Sequence, residues 1–259
     1  MVEPRTRRAT DQRHEALVTL IRAGVDEVET LAERVGVSAS TVRRDLTRLQ
    51  REGRIARTYG GALVREVFHE RSFSESSRLA AGQKASIAVA AARLVPDEGS
   101  VFIDAGTTCL ALARTLVDRG PMTVVTRGLE AALLLARAPD IRVIIVGGQV
   151  QPLSHGVTGA LAAVALQRLA FDVAFLGADT VDPDKGLGEP TVEETHVKEL
   201  VAARSAEVVL LADASKFLPS SPPAWTRIEP SWSVLTDRAV PDDVVAAFAR
   251  SGIRVTRAG

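Results

Sequence analysis

The chain is short of everything that would tie it to a disulfide scaffold, a metal centre or a membrane. It has one cysteine, Cys109, so no internal disulfide framework can form. It has no CxxC pair, and its four histidines form no tract, so the spacing proposes no metal site. His155 and His196 in particular lack metal-ligand spacing. Aromatic residues make up only 4% of the chain, leaving few rings to stack on bases or sugars. No apolar run reaches the roughly eighteen residues of a membrane-spanning helix, so no membrane partner is expected. The opening Met1–Arg5 stretch lacks the apolar core of a signal peptide, and a reducing cytoplasm is the expected compartment.

What remains is a globular composition, 46% hydrophobic and 25% charged over 259 residues, long enough for two domains. The formal net charge of zero conceals an asymmetry. Between Arg43 and Arg65, seven arginines stand against two acids, Asp45 and Glu52. Residues 79–259 carry 17 basic and 20 acidic side chains. A basic module joined to a mildly acidic one fits nucleic-acid binding at one end.

Within residues 12–23, Leu17, Leu20 and Ile21 have helical spacing, and Val28–Val35 forms a second short amphipathic run. Gly36-Val37-Ser38 then predicts a tight turn, with Gly36 as a left-handed cap and Ser38 as N-cap of a third helix reaching about Glu52. At about 100° per residue, Val42, Leu46 and Leu49 fall on one buried stripe. The opposite face holds Ser40, Arg44, Thr47, Arg48 and Arg51, all polar or cationic. Such a face suits the major groove, where arginine pairs bidentately with guanine and hydroxyls reach bases or phosphates. Arg43, on the flank, is placed for a phosphate. Two β-prone runs about Gly60-Gly61 predict a hairpin wing, from which Arg57 and Tyr59 can touch the DNA backbone.

Residues 38–49, SASTVRRDLTRL, and the following EGRIARTYGGAL resemble the DNA-binding signature of the DeoR family of repressors. The resemblance implies operator recognition by the third helix, with Ser40, Thr41, Arg43 and Arg44 as preferred contacts. Ser38, Thr47 and Arg48, with Arg57 and Tyr59 of the wing, complete the expected DNA-binding set. The domains expected are a winged helix-turn-helix over residues 1–64, a charged, serine-rich linker over 65–83, and an α/β domain over 84–259.

In that last domain short apolar runs alternate with helical patterns. Strands are expected at Val101–Asp104, Thr123–Thr126, Val143–Val146, Val173–Leu176, Val208–Ala212, Val234–Thr236 and Ile253–Val255, with helices between them. This predicts a mostly parallel sheet covered on both faces, which binds ligands at the carboxyl ends of its strands. The first strand runs into Asp104-Ala105-Gly106-Thr107-Thr108, a turn that serves either as a plain helix cap or as an anion cradle. Polar groups follow the other strands at Thr126-Arg127-Gly128, Gly147-Gly148-Gln149, Gly177-Ala178-Asp179 and Asp213-Ala214-Ser215-Lys216, and all five ends are expected on one rim. In this reading Gly106, Thr107 and Thr108 hold phosphate and Lys216 adds a point charge. Asp104 and Asp179 accept from sugar hydroxyls, while Thr126, Arg127, Gly148 and Asp213 line the rim. Lys198 and Glu194 lie four apart on a helix and either pair with each other or meet the ligand. Cys109 is expected to pack beside the first loop.

The second half also resembles the DeoR-family sensor domain, in DAGTT at 104–108, VVT at 124–126, VGG at 146–148, FDVAFLGAD at 171–179, EETHVK at 193–198 and LADASKF at 211–217. The resemblance implies a fold related to ribose-5-phosphate isomerases and CoA transferases, a phosphorylated-sugar effector and no cofactor. A DNA reader of this size is expected on double-stranded operator DNA as a homo-oligomer, dimer or tetramer, because one small interface rarely gives enough specificity. Two departures fall on the expected rim: Thr126-Arg127-Gly128 replaces the Thr-Asn-Ser of many members, and Asp179-Thr180 replaces Asn-Gly. The rival reading is an active isomerase. Related isomerases carry a DGAD loop and a glutamate just before a helix lysine, where this chain has Leu176 and Val197, with Glu189 and Glu194 the substitutes to consider.

Overall fold

The computed structural model describes residues 5–22, 25, 27–51, 68 and 70–259. The chain divides into two compact units, Met1–His69 and Glu70–Gly259. In the first, helices α1 (Arg5–Arg22), α2 (Val28–Val35) and α3 (Ala39–Arg51) enclose a small core. Leu17, Val18 and Ile21 of α1, Leu31 and Ala32 of α2, and Val42, Leu46 and Leu49 of α3 fill it. The α3 stripe is thus the one its spacing dictates. Gly36 ends α2 at φ 68°, ψ 34°, a left-handed turn that glycine adopts without steric cost. Beneath α3 lies one group that periodicity does not reveal: the buried Asp45 carboxylate accepts from Arg13 Nε at 2.7 Å and faces His14 Nε2 at 3.2 Å. Burial alone would raise its pKa, but the bonds to Arg13 and His14 hold it below the usual carboxylate range. The expected wing, with Arg57 and Tyr59, lies outside the described residues.

The second unit starts inside the stretch expected as a linker. Helix α4 (Phe73–Arg78) is fixed by a capping box, in which Ser72 Oγ accepts from the Glu75 amide and Glu75 Oε2 accepts from the Ser72 amide. Helix α5 (Ala81–Ala92) begins ahead of Lys84, whose buried ammonium donates to the carbonyls of Ser76 (2.6 Å) and Leu79 (2.9 Å). Charge and serine content suggested a tether over 65–83; the local caps and this lysine make residues 72–83 a folded part of the second unit.

Next come strands β1 (Ser100–Ile103), β2 (Met122–Thr126) and β3 (Ile141–Ile145), separated by helices α6 (Thr107–Leu116) and α7 (Leu129–Leu135). Short β4 (Gln149–Val150), β5 (Val157–Thr158) and helix α8 (Ala160–Leu166) lead to β6 (Phe171–Leu176). Strands β7 (Thr180–Asp182) and β8 (Gly186–Glu189) precede helix α9 (Val192–Ala202), followed by β9 (Ser205–Leu211), β10 (Ala224–Thr226), β11 (Ser233–Asp237), helix α10 (Asp242–Arg250) and β12 (Arg254–Ala258).

All seven expected strands enter one sheet, in the order β12-β11-β9-β6-β1-β2-β3, and every pairing in it is parallel. Alternating residues serve its two faces. Val101, Ile103, Val173, Phe175 and Val209 meet Ile87, Ala91, Leu112, Leu116 and Leu135 of α5–α7. On the other face Phe102, Ala174, Leu176, Val208 and Leu210 meet Leu166, Val197, Val201 and Phe248 of α8–α10. Strands buried on both faces read as continuous apolar runs, which explains why they were legible. The chain begins in mid-sheet at β1, builds outward to β3, then returns to the far side of β1 as β6. The crevice between β1 and β6 is the topological switch point, where such sheets bind ligands.

Phe175 is fully buried at the centre of this core. Phe175→Ala should cost about 3–5 kcal/mol in urea unfolding; a loss below about 1 kcal/mol would show that the sheet is not packed as described.

Candidate ligand site and nucleic-acid face

On α3 the hydroxyls cluster at the amino end. Ser38 Oγ accepts from the Thr41 amide (3.2 Å) and lies 2.9 Å from Ser40 Oγ and 2.8 Å from Thr41 Oγ1. Ser40, Arg44 and Arg48 are exposed, whereas Thr41 and Thr47 are half-buried. Thr47 donates to the Arg43 carbonyl at 2.8 Å, and Arg43 pairs with Glu29 at 2.9 Å with both side chains mostly in solvent. That exposed pair contributes little and opens readily. The helix therefore presents hydroxyls and guanidinium groups, while every apolar side chain of its buried stripe is turned inward.

In the second unit, an open cavity of about 550 Å³, its mouth included, lies at the switch point. Ala105 to Cys109 follow β1 into it, Gly177 to Asp179 follow β6, and Arg127 and Lys216 arrive from the ends of β2 and β9. Helix α6 starts at Thr107 with Gly106 as its N-cap and no side chain bonded to its first amides. Those amides and the Thr107 and Thr108 hydroxyls border the cavity, the arrangement an anionic group requires. Four of the five expected strand ends thus share one site.

Beneath the cavity sits Asp104, with no solvent exposure. Its Oδ1 accepts from the Ala105 amide at 2.7 Å and from Arg127 Nε, and its Oδ2 accepts from the Gly177 amide at 3.0 Å and from Lys198 Nζ. Lys198 also donates to the Gly177 carbonyl at 2.9 Å and lies 3.1 Å from Glu189 Oε1. Burial would raise Asp104, but the Arg127 and Lys198 cations outweigh it and hold the carboxyl well below its usual range. Burial would lower Lys198, but Asp104 and Glu189 carry it up to about 12, so it stays charged. Burial pushes the Glu189 carboxyl up to about 8 despite Lys198, and burial with Asp179 and Glu194 nearby pushes Glu70 up to about 7. Cys109 is fully buried, and burial with Asp104 beside it pushes its thiol well above the ordinary range, in keeping with a packing role.

Several expected ligand residues are placed differently. Asp104 has four donors and no solvent access, so it cannot accept from a sugar hydroxyl; it holds the site's cations in place. Thr126 is buried, and its Oγ1 accepts from the Gly128 amide. Asp213 is buried and accepts from the Ser215 amide and hydroxyl, capping the turn that carries Lys216. Gly148 is away from the cavity because β3 is an edge strand, two places from β1, and its loop enters the β4–β5 hairpin. There φ is 147°, and a Cβ would stand 2.2 Å from the Thr158 carbonyl oxygen, so its glycine serves backbone approach. Glu194 and Lys198 do not pair. Lys198 turns to Asp104 and Glu189, while Glu194 accepts from Ser154 Oγ (3.2 Å) and Thr191 Oγ1 (3.1 Å) and faces Arg127 Nη1 at 3.6 Å.

The sequence did not point to Glu70, Arg71, Phe73 and Ser76, which form one wall of the cavity, nor to Leu153 and Ser154. Phe73 docks this wall: its amide donates to the Leu153 carbonyl at 2.7 Å and its ring stacks on His155, centroids 5.1 Å apart. The available signal was the capping box Ser72-x-x-Glu75. Glu189 reaches the cavity on β8, part of a small antiparallel sheet in the order β10-β8-β7. Among the described residues no group of three or more His, Cys, Asp or Glu side chains is placed to hold a metal, and no helix is long and apolar enough to cross a membrane.

Two family models match the chain, a DeoR-like helix-turn-helix domain over residues 13–67 and a DeoR C-terminal sensor domain over residues 80–238. The HTH-type transcriptional regulator GlpR of Haloferax volcanii is 32% identical, covering 88% of this chain and 89% of its own. The glycerol-3-phosphate regulon repressor of Escherichia coli K12 is 31% identical, covering 80% and 82%. The HTH-type transcriptional repressor CsqR of the same organism is 28% identical over 94% of both. Among solved structures, ribose 5-phosphate isomerase A of Methanocaldococcus jannaschii covers 54% of this chain and 55% of its own at 22% identity and a TM-score of 0.40, a likeness that says nothing about activity.

Asp104→Asn removes the charge between Arg127 and Lys198 while keeping the shape. A loss of about 3–5 kcal/mol in urea unfolding is expected, as for breaking a buried ion pair. Unchanged stability would show that the two cations do not depend on Asp104.

Proposed function

The chain belongs to the DeoR family of transcription regulators, and on that premise we propose that it is a repressor whose grip on operator DNA is released by a phosphorylated sugar. The observation that carries the sensing half is the unfilled N-terminus of α6, flanked by two threonine hydroxyls, at the switch point of a parallel sheet. The observation that supports the DNA half is the polar, exposed face of α3 over a wholly apolar inner stripe. Relatives named as repressors, one of them of a glycerol-3-phosphate regulon, agree with both halves.

In this reading the phosphate sits on the Gly106–Thr108 turn, and Lys216 and Arg127 add positive charge. Lys216 lies 3.4 Å from Asp179, and in this reading the phosphate draws it from that partner. Asp179 then accepts from a sugar hydroxyl. No cofactor takes part. In this reading the cavity binds without turnover: Asp104 is saturated with donors and cannot take a proton from a substrate carbon, which leaves Glu189 and Glu70 as the bases that the ribose 5-phosphate test below addresses. The protein works in the cytoplasm as a homo-oligomer, since paired heads on a two-fold operator supply the specificity that one small interface lacks.

The segment 70–76 is both cavity wall and the stretch of chain that follows the DNA-binding unit. A ligand that presses on Glu70, Arg71 and Phe73 biases that segment, which is the physical route from sugar phosphate to DNA affinity. Coupling of this kind is typically about 1–3 kcal/mol, or roughly 5- to 150-fold in affinity.

Arg44→Ala is expected to abolish specific operator binding in a gel shift while leaving thermal melting nearly unchanged, because the side chain is exposed. Wild-type affinity in that variant would remove α3 from the groove. A panel of phosphorylated sugars should contain one that raises the melting temperature and weakens the gel shift; none doing so would remove the effector. Ribose 5-phosphate incubated with the protein should stay unconverted, and ribulose 5-phosphate in the mixture would make the chain an isomerase.

A further inference from the structure

The seven-stranded sheet ends on two edges of opposite character. A strand at an edge offers unpaired amides and carbonyls to any passing chain, and charged side chains along it are the usual guard. The β12 edge is guarded. Arg254, Thr256 and Arg257 stand exposed along it, and Arg257 donates to the Val240 carbonyl and pairs with Asp242. The β3 edge is not. It reads Ile-Arg-Val-Ile-Ile, with Arg142 its one charge, and Ile145 is 44% exposed. Helix α7, which packs on β3, leaves Leu133 71% exposed, and β4, which follows it, leaves Val150 46% exposed.

The ladder to β2 shows which backbone groups of β3 are open. The Asp140 carbonyl accepts from the Met122 amide and the Val146 amide donates to the Thr126 carbonyl, so the even-numbered residues face β2. Ile141, Val143 and Ile145 therefore turn their backbone groups outward. The Ile141 amide reaches the Ala138 carbonyl at 3.5 Å; among the described residues nothing bonds the Ile141 carbonyl or either group of Val143 and Ile145.

This outward row is complementary to itself. Laid antiparallel against its own copy about a two-fold axis at Val143, it sets Val143 opposite Val143 and Ile141 opposite Ile145, with amides meeting carbonyls. Each Arg142 then stands opposite Ile144 of the other strand, so the one charge does not face itself. A foreign peptide would need a matching sequence, whereas a second copy brings its own match. A strand of five residues is short of the roughly 800 Å² per partner of a stable interface, and the exposed Leu133, Ile145 and Val150 of both copies are the apolar area that adds to it. We propose that β3 is the seam of a symmetric dimer, in which two copies join their sheets edge to edge. The inference rests on the homo-oligomer reading above and names its surface.

Sedimentation equilibrium of the full chain tests it. The wild-type chain should form an even-numbered oligomer. Ile145→Lys, which puts a charge on the exposed edge, should halve its mass without changing the far-UV circular dichroism. Val143→Pro removes an outward amide that β2 does not use, and should do the same. Hydrogen exchange on the wild-type chain keeps the test open if a variant fails to fold: the Val143 and Ile145 amides should exchange about tenfold or more slowly at oligomer-forming concentration than below it. An oligomer whose mass survives both folded variants, or whose Val143 and Ile145 amides exchange no more slowly than in the separated chain, overturns the seam and leaves the homo-oligomer standing. A wild-type chain that sediments as a monomer at every concentration removes both.

Discussion

The second unit depends on a single carboxylate. Asp104 follows β1 at the place where the sheet's connectivity reverses, and its two oxygens collect donors from β1's own turn, from the loops after β2 and β6, and from α9. Its side-chain and backbone partners lie 23, 73 and 94 residues away along the chain. A buried ion pair of this kind adds little net stability over an apolar replacement, because desolvation offsets the attraction. What it supplies is placement. With Asp104 charged, Arg127 and Lys198 stay charged, stay buried and line the cavity.

That placement takes Asp104 and Lys198 out of acid–base chemistry. General acid–base work needs a group free to change its protonation within reach of substrate. Asp104 is held ionised by two cations, and Lys198 is held protonated by two carboxylates. The groups that retain freedom are Glu70 and Glu189, and each has an oxygen with nothing to accept.

The sheet was readable because strands buried on both faces spell themselves out as apolar runs, and all seven took their places. Gly36 and the Val42–Leu46–Leu49 stripe were readable for the same local reason. Asp104 was not. A turn reading Asp-Ala-Gly-Thr-Thr looks the same whether its aspartate faces a ligand or is sealed by partners encoded far downstream. Gly148 was misassigned because its neighbours in the sequence, glycine after strand, match those of a ligand loop; only the sheet order puts β3 at an edge. The small sheets stayed hidden because strands of two to four residues carry no measurable period. Helix α4 was within reach, since Ser72 and Glu75 form a capping box in the sequence, but the serine-rich charge pattern around them spoke for a tether.

The misread tether carries the largest functional consequence. Had residues 72–83 been a flexible spacer, a ligand in the cavity would have met no folded chain there. Instead Lys84 pins α4 to α5, Phe73 stacks on His155, and Glu70 and Arg71 stand in the cavity wall. A ligand cannot occupy this cavity without meeting the part of the chain that leads to the helix-turn-helix. Coupling needs an element that both sites bias, and in the reading proposed above the capped segment 70–78 is that element.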